Sequence, residues 1–221
     1  YQRLICVFLQ PWLRSSCFNS CLSKSKGMAN FRVFCWCSYA FYSHQFDHLI
    51  AMKNPIYTQF IKFPKAELII GSFEDNLCLC DFKYRKARRA IDKRLQLGLS
   101  GYFIEQSNKL LDQTKNALEE YFSGDRDNFN LPLLTVGTIF QKSVWNSLLE
   151  IPYGDTISYE TLAVNIGDKN AVRAVGSANG ANALAIIIPC HRVISASGSL
   201  GGYSGGLPLK QDLLNLEKLS K

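Results

Sequence analysis

Near Pro132 the sequence changes its period, and that change restricts the fold more tightly than any composition value. Before it, "IYTQFIKF" (56–63) and "AELIIGSF" (66–73) are rich in β-branched and aromatic residues. Glu74, Asp75 and Asn76 then supply turn chemistry ahead of "LCLCDF" (77–82), so this half starts as an antiparallel sheet. Leu111, Thr114, Leu118 and Tyr121 recur at helical spacing, and Gly124 closes that helix. After Pro132, helical patterns dominate. Thr138 and Gln141 make a capping box, and Phe140, Val144, Trp145, Leu148 and Leu149 form an apolar stripe that stops before Pro152. "SYETLAVNIGDKNAVRAVGSANGAN" (158–182) predicts a short helix opened by Ser158, a turn at Gly167 and a second helix capped by Asp168. The expected fold is α+β. A small N-terminal α/β domain with an antiparallel sheet (52–132) precedes a mostly helical C-terminal domain (133–221) containing a helix-turn-helix.

Residues 1–51 lie outside this pattern. They are rich in Cys, Phe, Ser and Tyr, keep no steady period, and read as an atypical extension, disordered or non-native to the domain that starts at Met52. They hold five Lys/Arg against Asp47 alone, so the net charge of +7 falls to +3 for the remainder. The body is only mildly basic, and the whole-chain charge is weak evidence for a polyanionic partner. "KYRKARRAIDKR" (83–94) packs in seven Lys/Arg and reads as a solvated basic face or loop.

Apolar runs fall far short of the roughly 20 residues that a membrane span needs. Gln10 and Pro11 interrupt the opening apolar stretch before it can serve as a signal segment. The eight cysteines are therefore expected as reduced thiols in a cytoplasmic protein. Cys35 and Cys37, Cys78 and Cys80, and the pair His44 and His48 invite a zinc reading. Their spacings do not match the usual ligand gaps, so no metal is expected.

"IIIPCHRVI" (186–194) carries the chemistry. A thiol with a pKa of roughly 8.5 is mostly protonated at neutral pH, so a nucleophilic Cys190 needs a base or cation beside it. His191 and Arg192 are adjacent, but neighbouring side chains on a strand point to opposite faces, so direct contact requires a bend or a bridging water. Pro189 supplies a reason for a bend. In "LKQDLLNLEKL" (209–219), Glu217 lies at the edge of the buried stripe, where a half-buried carboxylate would orient the histidine. Between them "GSLGGYSGG" (198–206) has five glycines and Tyr203, which suits the rim of a pocket for a planar molecule. The second helix of the 158–182 segment carries Ala174, Ser177 and other small residues, plus one long cation, Arg173. By residue chemistry alone, a cysteine hydrolase and a DNA-binding regulator with a redox-sensing cysteine remain alternatives.

The combination of "PCHRV", the Asn182 segment, "YSGG" and the helix-turn-helix with Arg173 resembles the O6-alkylguanine-DNA alkyltransferases, also called methylated-DNA–protein-cysteine methyltransferases. The resemblance runs from about Phe140 to Glu217 and more loosely over 52–132. It implies single-turnover DNA repair. An alkyl group passes irreversibly from O6-alkylguanine, with O4-alkylthymine as a second substrate, to Cys190. It implies that His191, oriented by Glu217, deprotonates Cys190 through a water, and that Tyr159 assists protonation of the leaving guanine. Asn182 would be the hinge before the active-site strand. Arg173 would replace the flipped nucleotide, with Ala174 and Ser177 on the helix face that enters the minor groove. The Val193 backbone and Tyr203–Ser204 would read the base, and Arg192 would brace the site. The resemblance implies no cofactor, a duplex DNA partner, no membrane and a monomer. The chain departs from the pattern at Ala183, where many members follow the hinge asparagine with proline.

Overall fold

The computed structural model describes residues 54–220. The extension 1–51, with Cys35, Cys37, His44 and His48, lies outside the described residues. Strands β1 (Asn54–Lys62), β2 (Glu67–Phe73) and β3 (Asn76–Phe82) form an antiparallel meander. Glu74 and Asp75 both take positive φ, the backbone that a tight two-residue hairpin demands. Helix α1 (Arg88–Leu99) then crosses over to β4 (Gly101–Glu105), which pairs parallel to β1, giving the sheet order β3-β2-β1-β4. The sheet is thus antiparallel with one parallel edge.

The basic run is a solvated face in part, with Lys83, Lys86, Arg89 and Lys93 exposed, but it is not a loop throughout. Its second half is helix α1, and Arg85 is buried in an ion pair with Asp81 at 2.9 Å. The sequence misleads here because the acidic partner lies on the preceding strand rather than within the run.

Helix α2 (Lys109–Ser123) begins at Asn108, whose side chain accepts from the Leu111 N–H, and ends at Gly124 with φ of 83°. It lays Leu111, Leu118 and Tyr121 on the sheet. These pack in one core with Leu68, Ile70 and Leu77 of the sheet, Val144, Trp145 and Leu148 of the following helix, and Ile186–Ile188. Each such fully buried side chain contributes roughly 1.5–3 kcal/mol. A smaller cluster, including Ile56, Leu79, Ile91, Leu95 and Ala183, fills the α1 face of the sheet.

The outer edge of β3 ties the two halves together. Leu77 pairs with the Pro132–Leu134 strip, and Cys80 exchanges backbone hydrogen bonds with Ala183 and Ala185 at 2.8 and 2.7 Å. An exposed sheet edge is thereby covered by the segment that leads to Cys190.

Helix α3 (Ile139–Leu149) carries the expected Thr138/Gln141 capping box. Its stripe is narrower than the sequence suggests: Val144, Trp145 and Leu148 are buried, whereas Phe140 and Leu149 reach solvent. The two-residue strands β5 (Ile157–Ser158) and β6 (Val193–Ile194) pair in parallel. Helix α4 (Tyr159–Asn165) is capped by Ser158, the chain turns at Gly167 (φ 86°), and helix α5 (Val172–Gly180) follows. Asp168 does not cap α5. Its carboxylate accepts from the Asn170 N–H in a local turn, and the N-cap is Ala171. Trp145 Nε1 donates to the Ala178 carbonyl at 2.9 Å and pins α5 to α3. Helix α6 (Leu207–Leu219) closes the chain. Among the described residues no helix is long and apolar enough to cross a membrane.

Candidate active site

The turn that delivers Cys190 is strained and heavily braced. Ile186 takes φ of 73°, a conformation that costs a β-branched residue on the order of 1–3 kcal/mol. Asn182 fixes this turn from within: its side chain accepts from the Leu184 N–H and donates to the Ile188 carbonyl, each at 2.9 Å. Pro189 then sits at φ −79° and ψ 62°, and the Cys190 N–H closes back on the Ile188 carbonyl at 2.7 Å. This is the bend that Pro189 suggests. Residues Cys190–Arg192 form a single 3-10 turn, so His191 and Arg192 swing to the α6 side instead of alternating as on a strand.

There they meet Glu217, which is fully buried rather than half-buried. Its carboxylate accepts from His191 Nε2 (2.7 Å), Arg192 Nε (2.9 Å), Arg192 Nη2 (3.1 Å), the Tyr121 hydroxyl (2.7 Å) and the Gly154 N–H (3.2 Å). Burial alone would raise its pKa, but the hydrogen bonds and charges of His191 and Arg192 outweigh that and hold it at about 2. Burial lowers the His191 pKa in spite of Glu217. A neutral imidazole beside an ionised carboxylate places its proton on Nε2. The Nδ1 lone pair is left as a base, and it has no protein hydrogen-bond partner. Arg192 Nη1 donates to the Ile151 carbonyl at 2.6 Å, and the guanidinium lies over the Tyr153 ring.

Cys190 lies 4% exposed at the base of a cleft of about 720 Å³. Tyr159, Tyr203 and Ser204 line this cleft as the sequence suggests, joined by Gly176, Asn179 and Gly180 of α5. Tyr203 packs edge-on against Phe82 and His191, with ring centroids 5.5 and 6.3 Å away. Burial raises the pKa of Tyr159 and pushes that of Tyr203 well above the ordinary phenol value, so both present neutral hydroxyls. The glycines matter where Gly201 meets the Tyr159 ring, because a Cβ there would come within 3.3 Å of it at a φ of 65°. Burial raises the Cys190 pKa, while an Asn182 hydrogen bond and the charges of Arg85 and Lys210 oppose it.

Some expected residues stand elsewhere. Val193 does not line the cleft: its carbonyl accepts from Lys210 Nζ at 2.6 Å. Arg173, Ala174 and Ser177 are exposed on the outer face of α5, away from Cys190. Among the described residues, no group of three or more His, Cys, Asp or Glu side chains is arranged to hold a metal.

Four participants escape the sequence reading. Asn179 donates to the Cys190 carbonyl at 3.2 Å. Lys210 bridges the Val193 and Leu200 carbonyls, and burial lowers its pKa to about 8. Its spacing of seven from Glu217, through Leu213 and Leu214, was the available signal that it faces inward. Tyr121 and Arg85 come from the other half of the chain, and nothing local marks them.

Comparison with known proteins identifies the family. The family model described as 6-O-methylguanine DNA methyltransferase, DNA binding domain, matches residues 139–219, and its ribonuclease-like domain matches 56–135. A methylated-DNA–protein-cysteine methyltransferase of Methanosarcina barkeri is 44% identical over 163 residues, which are 74% of this chain and 98% of the relative. The chain belongs to the methylated-DNA–protein-cysteine methyltransferase family. A Mycobacterium tuberculosis member is 55% identical over 101 residues, 46% of this chain and 61% of its own. The crystal structure of Mycobacterium tuberculosis OGT in complex with DNA superposes with a TM-score of 0.65 at 37% identity, covering 74% of this chain and 94% of that one.

Proposed function

We propose that the protein repairs duplex DNA by moving the alkyl group of O6-alkylguanine, and of O4-alkylthymine, onto Cys190 in one irreversible step. The observation that carries this reading is the pairing of a cleft-base thiol with a buried His191–Glu217 couple whose Nδ1 has no protein partner. The Cys190 proton passes through a bridging water to His191 Nδ1, and the imidazolium is stabilised by Glu217. Sulfur attacks the alkyl carbon in line as the carbon–O6 bond breaks, and the neutral Tyr159 hydroxyl protonates the departing base. The product thioether is not hydrolysed, so each molecule acts once.

Reaching Cys190 requires the base to leave the stack, since the thiol lies at the bottom of a cleft. Tyr203 and Ser204 hold the planar base there. The α4–turn–α5 pair acts as the helix-turn-helix, with Arg173, Ala174 and Ser177 on the face offered to the minor groove. Residues 133–221 thus carry DNA binding and the alkyl acceptor, and 52–132 brace them. Phosphate contacts carry no sequence information, which suits lesions at arbitrary positions. The protein works as a cytoplasmic monomer without a cofactor.

The test is stoichiometry. With excess duplex containing O6-methylguanine, guanine should be restored to one equivalent per protein and stop. Continued turnover, or duplex binding without restoration, would refute the reading.

A further inference from the structure

The basic run at 83–94 contributes two arginines whose contacts converge on one place. The last carbonyls of a helix lack intrahelical partners, and here those at the exit of α5 are taken by guanidinium groups from the other half of the chain. Arg85 Nη1 donates to the Asn182 carbonyl at 2.8 Å, Arg85 Nη2 to the Gly180 carbonyl, and Arg94 Nη2 to the Ala181 carbonyl at 2.7 Å. Two cations at a helix C-terminus also match the dipole. Arg85 is held in turn by Asp81 at 2.9 Å, and this pair is almost fully buried. Such a pair is a poor device for stability alone, because desolvation offsets most of its attraction. Arg85 also lines the Cys190 cleft, together with Tyr84, Lys86 and Ala87.

We infer that Arg85 is a positioning residue for alkyl transfer: it fixes the Asn182 hinge to the sheet and places a permanent cation beside the Cys190 cleft. This rests on the proposed function, which it deepens. The geometry gives the cation a fixed location, since all its anchors are backbone carbonyls or a buried carboxylate. The groups acting on the Cys190 thiol come from several elements: Cys80 and Asp81 on β3, Arg85 after it, Tyr159 on α4, Tyr203 in the glycine-rich loop and Lys210 on α6. Arg85 and Lys210 favour the thiolate, whereas Asp81 disfavours it. The signs therefore separate a charge role from a purely structural one.

The experiment compares the full chain with Arg85→Gln, Arg85→Lys and Asp81→Asn. Iodoacetamide labelling of the Cys190 peptide is followed by mass across pH, beside single-turnover methyl transfer from O6-methylguanine duplex. Arg85→Gln should move the labelling midpoint to higher pH and slow transfer by roughly tenfold. Asp81→Asn should move the midpoint the opposite way. Arg85→Lys should keep a midpoint near the parent while transfer remains slowed, because a lysine cannot span both carbonyls. An unmoved midpoint in Arg85→Gln, or an unmoved or upward one in Asp81→Asn, would overturn the inference. If Arg85→Gln does not fold, the other two variants decide. A parent that labels normally but transfers no methyl group refutes the proposed function instead, and the labelling series still decides the placement of the Arg85 charge.

Discussion

Strand β3 pairs with the Ala183–Ala185 segment that leads to Cys190, and cysteine is buried on both sides of that contact. Cys78, Cys80 and Cys190 are 1%, 0% and 4% exposed. Burial raises the pKa of all three, Cys78 to about 12. What separates them is company. Cys78 donates its thiol to the Gly71 carbonyl at 3.4 Å, and for Cys80 the Asp81 charge adds to burial in raising the pKa. Cys190 instead meets a hydrogen bond from Asn182, two cations, a base beside it and an open cleft. Burial therefore silences a thiol by default, and reactivity is built by the groups placed around it.

The sharpest way to break this contrast is to exchange the cysteines' fates. Cys190→Ala should abolish methyl transfer, by at least ~10³-fold, yet leave duplex binding intact. Cys78→Ala and Cys80→Ala should still transfer one methyl group, with stability losses of about 1–2 kcal/mol measured by denaturant unfolding. Transfer that survives in Cys190→Ala would place the acceptor elsewhere.

Next in size is the carboxylate. Glu217→Gln strips the negative charge from a site that buries Arg192 and His191, and should cost about 3–5 kcal/mol in unfolding free energy. It should also slow transfer by roughly 10²-fold, because the base loses its orienting partner. Wild-type stability and slow transfer together would mean that Glu217 acts only on the chemistry.

The same couple makes a prediction about pH. The folded pKa of Glu217 lies at about 2, below its unfolded value, so its contribution is complete above pH 4.5 and is lost as pH falls towards 2. His191 is held neutral in the fold, so its preference for the native state likewise fades as pH drops below its ordinary value of 6.5. Acid unfolding should therefore be steeper in the parent than in Glu217→Gln. The acid limb of the transfer rate should lie below pH 6.5, since the imidazole stays a free base to lower pH. A limb above that value would contradict the assigned protonation state.

The smallest effect belongs to Tyr121→Phe. Removing one neutral donor from Glu217 should cost about 1 kcal/mol and a few-fold in rate. No change in either would leave that hydroxyl as packing only.

These residues also show what the sequence could reveal. The hairpin at Glu74–Asn76, the Thr138/Gln141 box and the Gly124 stop were legible because each is written within a few residues of itself. Cys190, His191 and Tyr203 stand out because their chemistry is unusual for their context, whereas Tyr159 is marked only by the family resemblance. Tyr121 meets Glu217 across 96 residues and Arg85 meets the Asn182 carbonyl across 97. Such contacts are set by how α2 and the end of β3 pack on the second half, and no local period encodes that. Asp168 misled for the opposite reason, since a good capping residue also makes a good turn.

The most direct measurement is intact-protein mass after incubation with duplex DNA containing O6-methylguanine, followed by peptide mapping. The account predicts a single added methyl group, carried by the Cys190 peptide and saturating at one per molecule. A folded sample that binds the duplex yet gains no methyl group, or gains it at Cys78 or Cys80, would contradict it.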